Sequence, residues 1–321
     1  MAESEIGSQL TLLELAKRIN NNDILTIVEK LSKRNRILED AIWIEANQPT
    51  SHVFTERIGE PSGTWRKINA GVAAEASQTR QIVEAIGMLE SYSKVDAALV
   101  MLAKNKKKFR QTEDMAFLQG LNKTFATAII YGDATLDPEK FTGFKERYDA
   151  LALDNVIGGS GTGSDLSSIW IIRWDEEDGC FLVYPSESPT LGLKATDLGE
   201  DTVADSNSNE YQAFRTHFEL YAGLCVKDAR SVGRICNIET AGAANIFDED
   251  DLINMLNKFI DLNNTVIYCN RTIKAQMDIN AKDKNNVNYS IDTVWGRPTT
   301  HFQGIPVKLT EAILDTEEAV T

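Results

Sequence analysis

Histidine is scarce in this chain of 321 residues. His52, His217 and His301 lie far apart and share no ligand spacing, so no metal motif can be read along the sequence. Cysteine is scarce too. Cys180, Cys225, Cys236 and Cys269 form no CxxC pair and sit in apolar or mixed runs, which reads as small core residues in a reducing compartment rather than a disulfide framework. Long apolar runs are missing. The longest, Ala97–Ala103, is less than half of the roughly 20 residues a bilayer-spanning helix needs, so no membrane partner is expected. The opening residues Met1–Glu5 are acidic and polar, which argues against a secretory signal. HExxH, GxSxG and EF-hand patterns do not occur.

Positive charge is in deficit: 33 Lys and Arg face 48 Asp and Glu, a net charge of -15. Such a chain is repelled by nucleic acid and anionic lipid unless its basic residues are segregated. Here they partly are. Lys17, Arg18, Lys30, Lys33, Arg34 and Arg36 lie near the N-terminus, and Lys104, Lys106, Lys107, Lys108 and Arg110 form a second group. Acidic residues crowd at 175–178, 248–251 and 311–318. Each run reads first as a solvated face; the alternative is complementary patches that meet between identical subunits.

The hydrophobic content of 42% supports one large or two modest domains. Leu10 to Ile19 make a short amphipathic stripe, and Ile24, Val28, Leu31 and Leu38 a second one, behind Asp23 as N-cap. So narrow a stripe on a charged helix needs another surface to lie on. Pro49 ends the helical region. Residues 51–58 then alternate, Gly59–Gly63 reads as a turn, and 64–69 alternate again, which predicts a hairpin. Both of its faces are mixed, and a lone hairpin is marginal in water. It should therefore pack on another molecule.

Residues 78–95 read as extended. A helix is expected over 112–131, capped by Thr112 and ended by Gly132, with Met115, Leu118, Leu121, Phe125, Ala128 and Ile129 as its apolar stripe. A turn-rich connection follows over 132–144. Strands are predicted at 167–174, 180–184, 212–226, 230–238 and 265–269, helices at 248–262 and 271–281, and a last pair of strands around Gly304 over 289–308. The class is α+β, without a βαβ rhythm or internal repeat.

The Gly-rich run Gly158–Ser164 invites a phosphate-loop reading, and with it a soluble nucleotide-binding enzyme. It lacks the Gly-Lys-Ser/Thr that would meet the phosphates, so a flexible turn is the expected reading. His217 falls in an alternating strand, where a surface or interface role is expected. Trp170, flanked by Ile169, Ile171 and Ile172, reads as core. Trp65, beside Arg66 and Lys67 on the hairpin, reads as an anchor for a neighbour's groove.

Several landmarks in fixed order carry a resemblance. They are Trp43-Ile-Glu-Ala-Asn47 with Pro49 and His52, Trp65-Arg-Lys67 with Asn69 and Gly71, Gly132-Asp133 with Asp137 to Gly143, and Gly159 to Ser164 before Ser168-Ile-Trp170. Tyr184-Pro185, Gly223-Leu224, Arg234 with Asn237-Ile-Glu239, Asn270-Arg-Thr272, Gly296-Arg-Pro298 and Gly304-Ile-Pro306 follow. Together they resemble the major capsid proteins of tailed phages, in a branch known from short-tailed phages.

That resemblance implies the Hong Kong 97-type capsid fold: an N-terminal arm over residues 1–47, an extended E-loop hairpin with its return strand over 48–92, a peripheral domain over 93–240 carrying the spine helix 112–131, and an axial domain over 241–321, an order that would be permuted relative to better-known members. It implies a structural protein, not an enzyme, with no cofactor. Identical subunits would form hexamers and pentamers of an icosahedral head around double-stranded DNA, held without sequence-specific binding. A separate scaffolding protein, a portal and optionally a decoration protein would be partners, with assembly in the host bacterial cytoplasm. Trp43, Phe54, Arg57, Trp65, Arg66 and Lys67, with Lys30 and Arg34 of the arm, are the candidate subunit contacts. A minor virion structural protein is the other assembly reading.

Overall fold

Strands that read as unbroken apolar runs and strands that alternate end up in different places, and that difference organises the molecule. The computed structural model describes residues 35–102, 106–186, 193–204, 208–242, 244–281, 289–294 and 297–321. The two N-terminal stripes up to Leu31, with Lys17, Arg18, Lys30, Lys33 and Arg34, lie outside the described residues, as do Lys104 and Gly296.

In chain order the elements begin with α1 (Arg36–Asp40), β1 (Trp43–Glu45), β2 (Ser51–Gly59), β3 (Gln78–Ala85) and β4 (Gly87–Asp96). The helices α2 (Ala97–Leu102), α3 (Lys106–Tyr131) and α4 (Phe144–Arg147) follow. Next come β5 (Val156–Gly158), β6 (Leu166–Arg173), β7 (Cys180–Tyr184), β8 (Leu193–Ala204), β9 (Glu210–Val226) and β10 (Val232–Glu239). The chain ends with α5 (Glu249–Leu256), β11 (Thr265–Cys269), α6 (Arg271–Ala281), β12 (Tyr289–Val294), β13 (Arg297–Phe302) and β14 (Ile305–Leu309).

β6 shows why an unbroken apolar run is needed. It lies inside a seven-stranded sheet ordered β12-β13-β14-β11-β6-β10-β5, antiparallel to both of its neighbours. Ile169 and Ile171 face one core with Leu252 and Met255 of α5 and Ile273 and Met277 of α6. Trp170 and Ile172 face a second core with Phe125, Ile129 and Ile130 of α3 and Phe181 and Val183 of β7. A strand covered on both sides cannot alternate with polar residues. The second sheet is ordered β1-β7-β9-β4, with β8 on the other edge of β9. Its long strand β9 alternates, burying Phe218 beside Leu118 and Leu121 of α3 and Leu220 in the main core, and turning His217 and Glu219 to the opposite face.

Several expectations are corrected. The partner of β2 is β3, with Val53 opposite Val83 and Glu56 opposite Arg80; residues 64–69 form no strand and belong to the loop between them. The long helix covers Lys106–Tyr131, so residue 112 lies within it and not at its start. Its 26 residues span about 39 Å. Gly132 does end it, for a packing reason: a Cβ there would meet the carbonyl oxygens of Ala128 and Phe141 at 2.5 Å. β8 was not foreseen, and the last strands are three, not two. The divide expected at residue 240 is absent from the sheets, since β6 and β10 on one side share the seven-stranded sheet with β11 and β14 on the other.

The Gly158–Ser164 run is not a loose turn. The Gly159 and Gly161 amides donate to the Cys236 and Asn237 carbonyls at 2.8 and 3.0 Å. A Cβ on either glycine would meet the Asn237 carbonyl oxygen at 2.7 or 2.5 Å. The glycines let this backbone lie on β10, so their amides are occupied by protein and cradle no phosphate.

Candidate assembly surface

The two-stranded ribbon β2–β3 pairs with neither sheet. Nine residues of β2 at about 3.3 Å each give it a length of roughly 30 Å. Its base is fixed and its tip is bare. At the base, the Asn47 side chain accepts from the Val53 amide at 2.8 Å and donates to the Val53 carbonyl at 2.6 Å. The Ile86 amide donates to the Thr50 carbonyl. Phe54 packs against the main core, and His52 meets the Phe181 ring edge-on at 5.6 Å.

The return strand is held by a buried charge pair. Arg147 donates to both Glu84 oxygens at 2.6 Å and also reaches the Thr142 and Leu224 carbonyls. Burial alone would lower the Arg147 pKa, but the Glu84 hydrogen bonds and charge outweigh it and raise it. Gly223 lets the chain cross here, since a Cβ on it would meet the Ala85 carbonyl oxygen at 2.5 Å. Further out, the Arg80–Glu56 pair at 2.7 Å bridges the two strands across exposed positions.

Beyond the ribbon every residue from 60 to 77 is exposed. Gly63 and Asn69 take left-handed backbone angles, with φ of 68° and 67°. The Gly63 amide donates to Glu75, and the Ala70 amide to the Lys67 carbonyl. On this small framework stand Trp65 at 102% exposure, Ile68 at 91% and Val72 at 51%. Apolar side chains held in water on a self-bonded loop form a surface suited to a partner.

The expected contact residues therefore separate. Trp65, Arg66 and Lys67 stand together on the bare tip, and Arg57 is exposed along the ribbon. Phe54 is half-buried at the base. Trp43 is corrected: it is 3% exposed, stacked on Phe125 at 5.9 Å between ring centres, and has spent its surface on its own core. Of the second basic group, Arg110 is already occupied, paired with Asp197 at 2.7 Å and lying over Phe214. The first described residues are also pinned: Tyr268 and Lys308 both bond the Asp40 carboxylate, and the Thr310 hydroxyl donates to Asn35.

Two groups were not found by sequence spacing. In the interior, Glu317 accepts from Arg234, Ser168 and Tyr131, while Arg234 also donates to the Tyr148 carbonyl and lies over Trp170. On the outer face of the second sheet, Glu90, His217 and Glu219 come together across the β4–β9 ladder. Neither pattern has a short-range signature. The four thiols are buried and free, with burial pushing Cys180 and Cys269 up to about 12 and Cys236 to about 11, values at which a thiolate nucleophile is not available at neutral pH.

The family model described as Major capsid protein GP7 matches residues 20–321. No curated protein matches. Among solved structures, a chain from the near-atomic cryo-EM structure of bacteriophage Epsilon15 is 29% identical, with 100% of this chain and 99% of that chain covered and a TM-score of 0.68. A chain of the bacteriophage JBD30 capsid is 10% identical, with 85% and 88% covered and a TM-score of 0.48.

Proposed function

Since the chain belongs to the family Major capsid protein GP7, and so is a shell-forming subunit of a phage capsid with the Hong Kong 97-like fold rather than an enzyme, we propose that the hairpin tip and the N-terminal arm are the parts that engage neighbouring copies. One observation carries this. The loop 60–77 is exposed throughout, yet it presents Trp65, Ile68 and Val72 on a ribbon whose base is locked to the body. A tip of this kind gains by burial against a second subunit. A tryptophan anchor of this sort typically contributes roughly 2 kcal/mol or more. Arg66 and Lys67 follow it in sequence and Arg57 is exposed along the ribbon; they supply the charge that would meet acidic surface of the neighbour.

The two sheets divide the subunit's work in this reading. The second sheet with α3 forms the peripheral part, with α3 as the spine. The seven-stranded sheet with α5 and α6 forms the axial part, which gathers copies into hexamers and pentamers. This replaces the boundary at residue 240. Lys30 and Arg34 of the arm reach a further copy. Several weak contacts engaged together give avidity that no single one provides.

The remaining partners follow from the same role. A separate scaffolding protein guides closure in the host cytoplasm, a portal occupies one vertex, and a decoration protein binds the finished shell where one is used. The net charge of -15 fits a wall around double-stranded DNA that holds its cargo without binding it tightly.

The test is to replace residues 60–77 with a two-residue Asn-Gly turn, which closes a ribbon without strain. Circular dichroism should show an intact body, while negative-stain microscopy and sedimentation velocity show no closed shells. Normal shells from this variant would remove the tip from the assembly surface.

A further inference from the structure

We infer that Glu90, His217 and Glu219 form a site for a zinc-class divalent metal ion on the outer face of the second sheet. The ladder creates the cluster. Glu90 of β4 stands directly opposite Glu219 of β9, and Tyr92 directly opposite His217. Alternation turns all four to the face away from α3, because the intervening Leu89, Phe218 and Leu220 point inward. Residues 127 and 129 positions apart in sequence thus meet on one rigid, fully hydrogen-bonded pair of strands.

The geometry suits a metal. One ligand atom from each residue lies within 4.8 Å of the other two. The His217 ring is stacked on Tyr92, with ring centres 4.1 Å apart and planes 4° from parallel, and its Nδ1 lies 3.8 Å from a Glu219 oxygen. Its Nε2 is 3.0 Å from a Glu90 oxygen, where a metal can take the place of the shared proton. The Tyr221 hydroxyl lies 2.6 Å from a Glu90 oxygen and 3.0 Å from a Glu219 oxygen, and its single proton orients the nearer carboxylate, Glu90, from behind.

Like charges directly opposite across a ladder are unfavourable, so this pair calls for a cation. Lys194 supplies one to Glu219 at 2.9 Å, but it is a half-exposed side chain in a surface pair worth little, and it can swing away. Glu90 is met by Tyr221, which is neutral, and by His217, which is charged only when protonated. An imidazole with two carboxylates selects zinc-like ions over calcium or magnesium, which favour all-oxygen shells, and three protein ligands leave a position for water. A bound ion would clamp β4, which leads out of the hairpin, to the long strand β9.

Calorimetric titration of the unassembled full-length chain with Zn²⁺ tests this, with Co²⁺ absorption as the second readout. We expect one ion per chain, and a loss of at least about tenfold in affinity in His217→Ala and in Glu90→Gln. His301→Ala serves as the control that should bind as wild type, and Mg²⁺ at the same concentration should give no heat. Circular dichroism on each variant separates lost folding from a lost ligand; if His217→Ala unfolds, Glu219→Gln decides in its place. No bound Zn²⁺, equal affinity in the ligand variants, or equal binding of Mg²⁺ would overturn the site.

Discussion

The Arg147 guanidinium meets the Glu84 carboxylate through two hydrogen bonds of 2.6 Å, and this pair fastens the return strand of the hairpin to the short helix behind the spine. Glu84 is buried and Arg147 nearly so, so removal of either partner strands a charge away from water.

Arg147→Ala should accordingly cost about 3 kcal/mol of stability, measured by urea denaturation of the unassembled chain. The double variant Arg147→Met with Glu84→Gln should recover part of that loss. Limited proteolysis should show earlier cleavage between residues 51 and 85 in the single variant.

The two tryptophans of the N-terminal third should behave oppositely. Trp43→Ala empties a filled place against Phe125 and should cost about 3–5 kcal/mol. Trp65 is fully exposed among the described residues, so Trp65→Ala should change stability by less than about 0.5 kcal/mol, while shell yield falls. Denaturation and shell yield measured on the same preparations check both statements.

The interior pair Arg234–Glu317 joins β10 to the C-terminal segment, with both side chains almost wholly out of water. Glu317→Ala should cost about 3–5 kcal/mol, because Arg234 is left without its counter-charge. Tyr131→Phe removes one hydrogen bond to the same carboxylate and the acceptor of the Leu314 amide, and should cost about 1–2 kcal/mol. Equal effects from the two would contradict the ranking.

His52 gives the hairpin base a pH dependence. Burial, then the charge of Lys227, push its pKa below 6.5, with Glu84 opposing. The neutral ring belongs to the folded state, while the unfolded chain takes up a proton near 6.5. The contribution of His52 is therefore complete above that pH and is lost as pH falls from about 6.5 toward the lower folded value. Denaturation midpoints at about pH 7.5 and 5.5 should show this drop, and His52→Gln should flatten it.

Much of the architecture was legible where composition and location agree. Cys180–Tyr184, Thr265–Cys269 and Arg271–Ala281 were read with the bounds the structure has, because apolar runs or a 3.6 period bounded by turn residues leave little choice. The hairpin partner was misread because Thr64, Arg66 and Ile68 satisfy a period of two as well as any strand does. Pairing is instead decided by the match of Val53 with Val83 and Phe54 with Ile82. β8 went unseen because Lys194, Asp197, Glu200 and Asp201 make a charged run broken by Gly199, which gains strand form from the edge of β9 rather than from its own composition. Of the candidate contacts, the exposure of Trp65 was readable from its charged neighbours. The core position of Trp43 depends on Phe125, more than 80 residues away, and could not be. The Glu90–His217–Glu219 cluster was invisible for the same reason, since strand register and not sequence spacing makes it.

A cryo-EM map of the assembled shell tests the central claim most directly, through the surroundings of Trp65. The account predicts that Trp65 and Ile68 of each subunit lie buried against a neighbouring copy, with Arg66 and Lys67 at the rim of that contact. A closed shell in which residues 60–77 meet only solvent would contradict it.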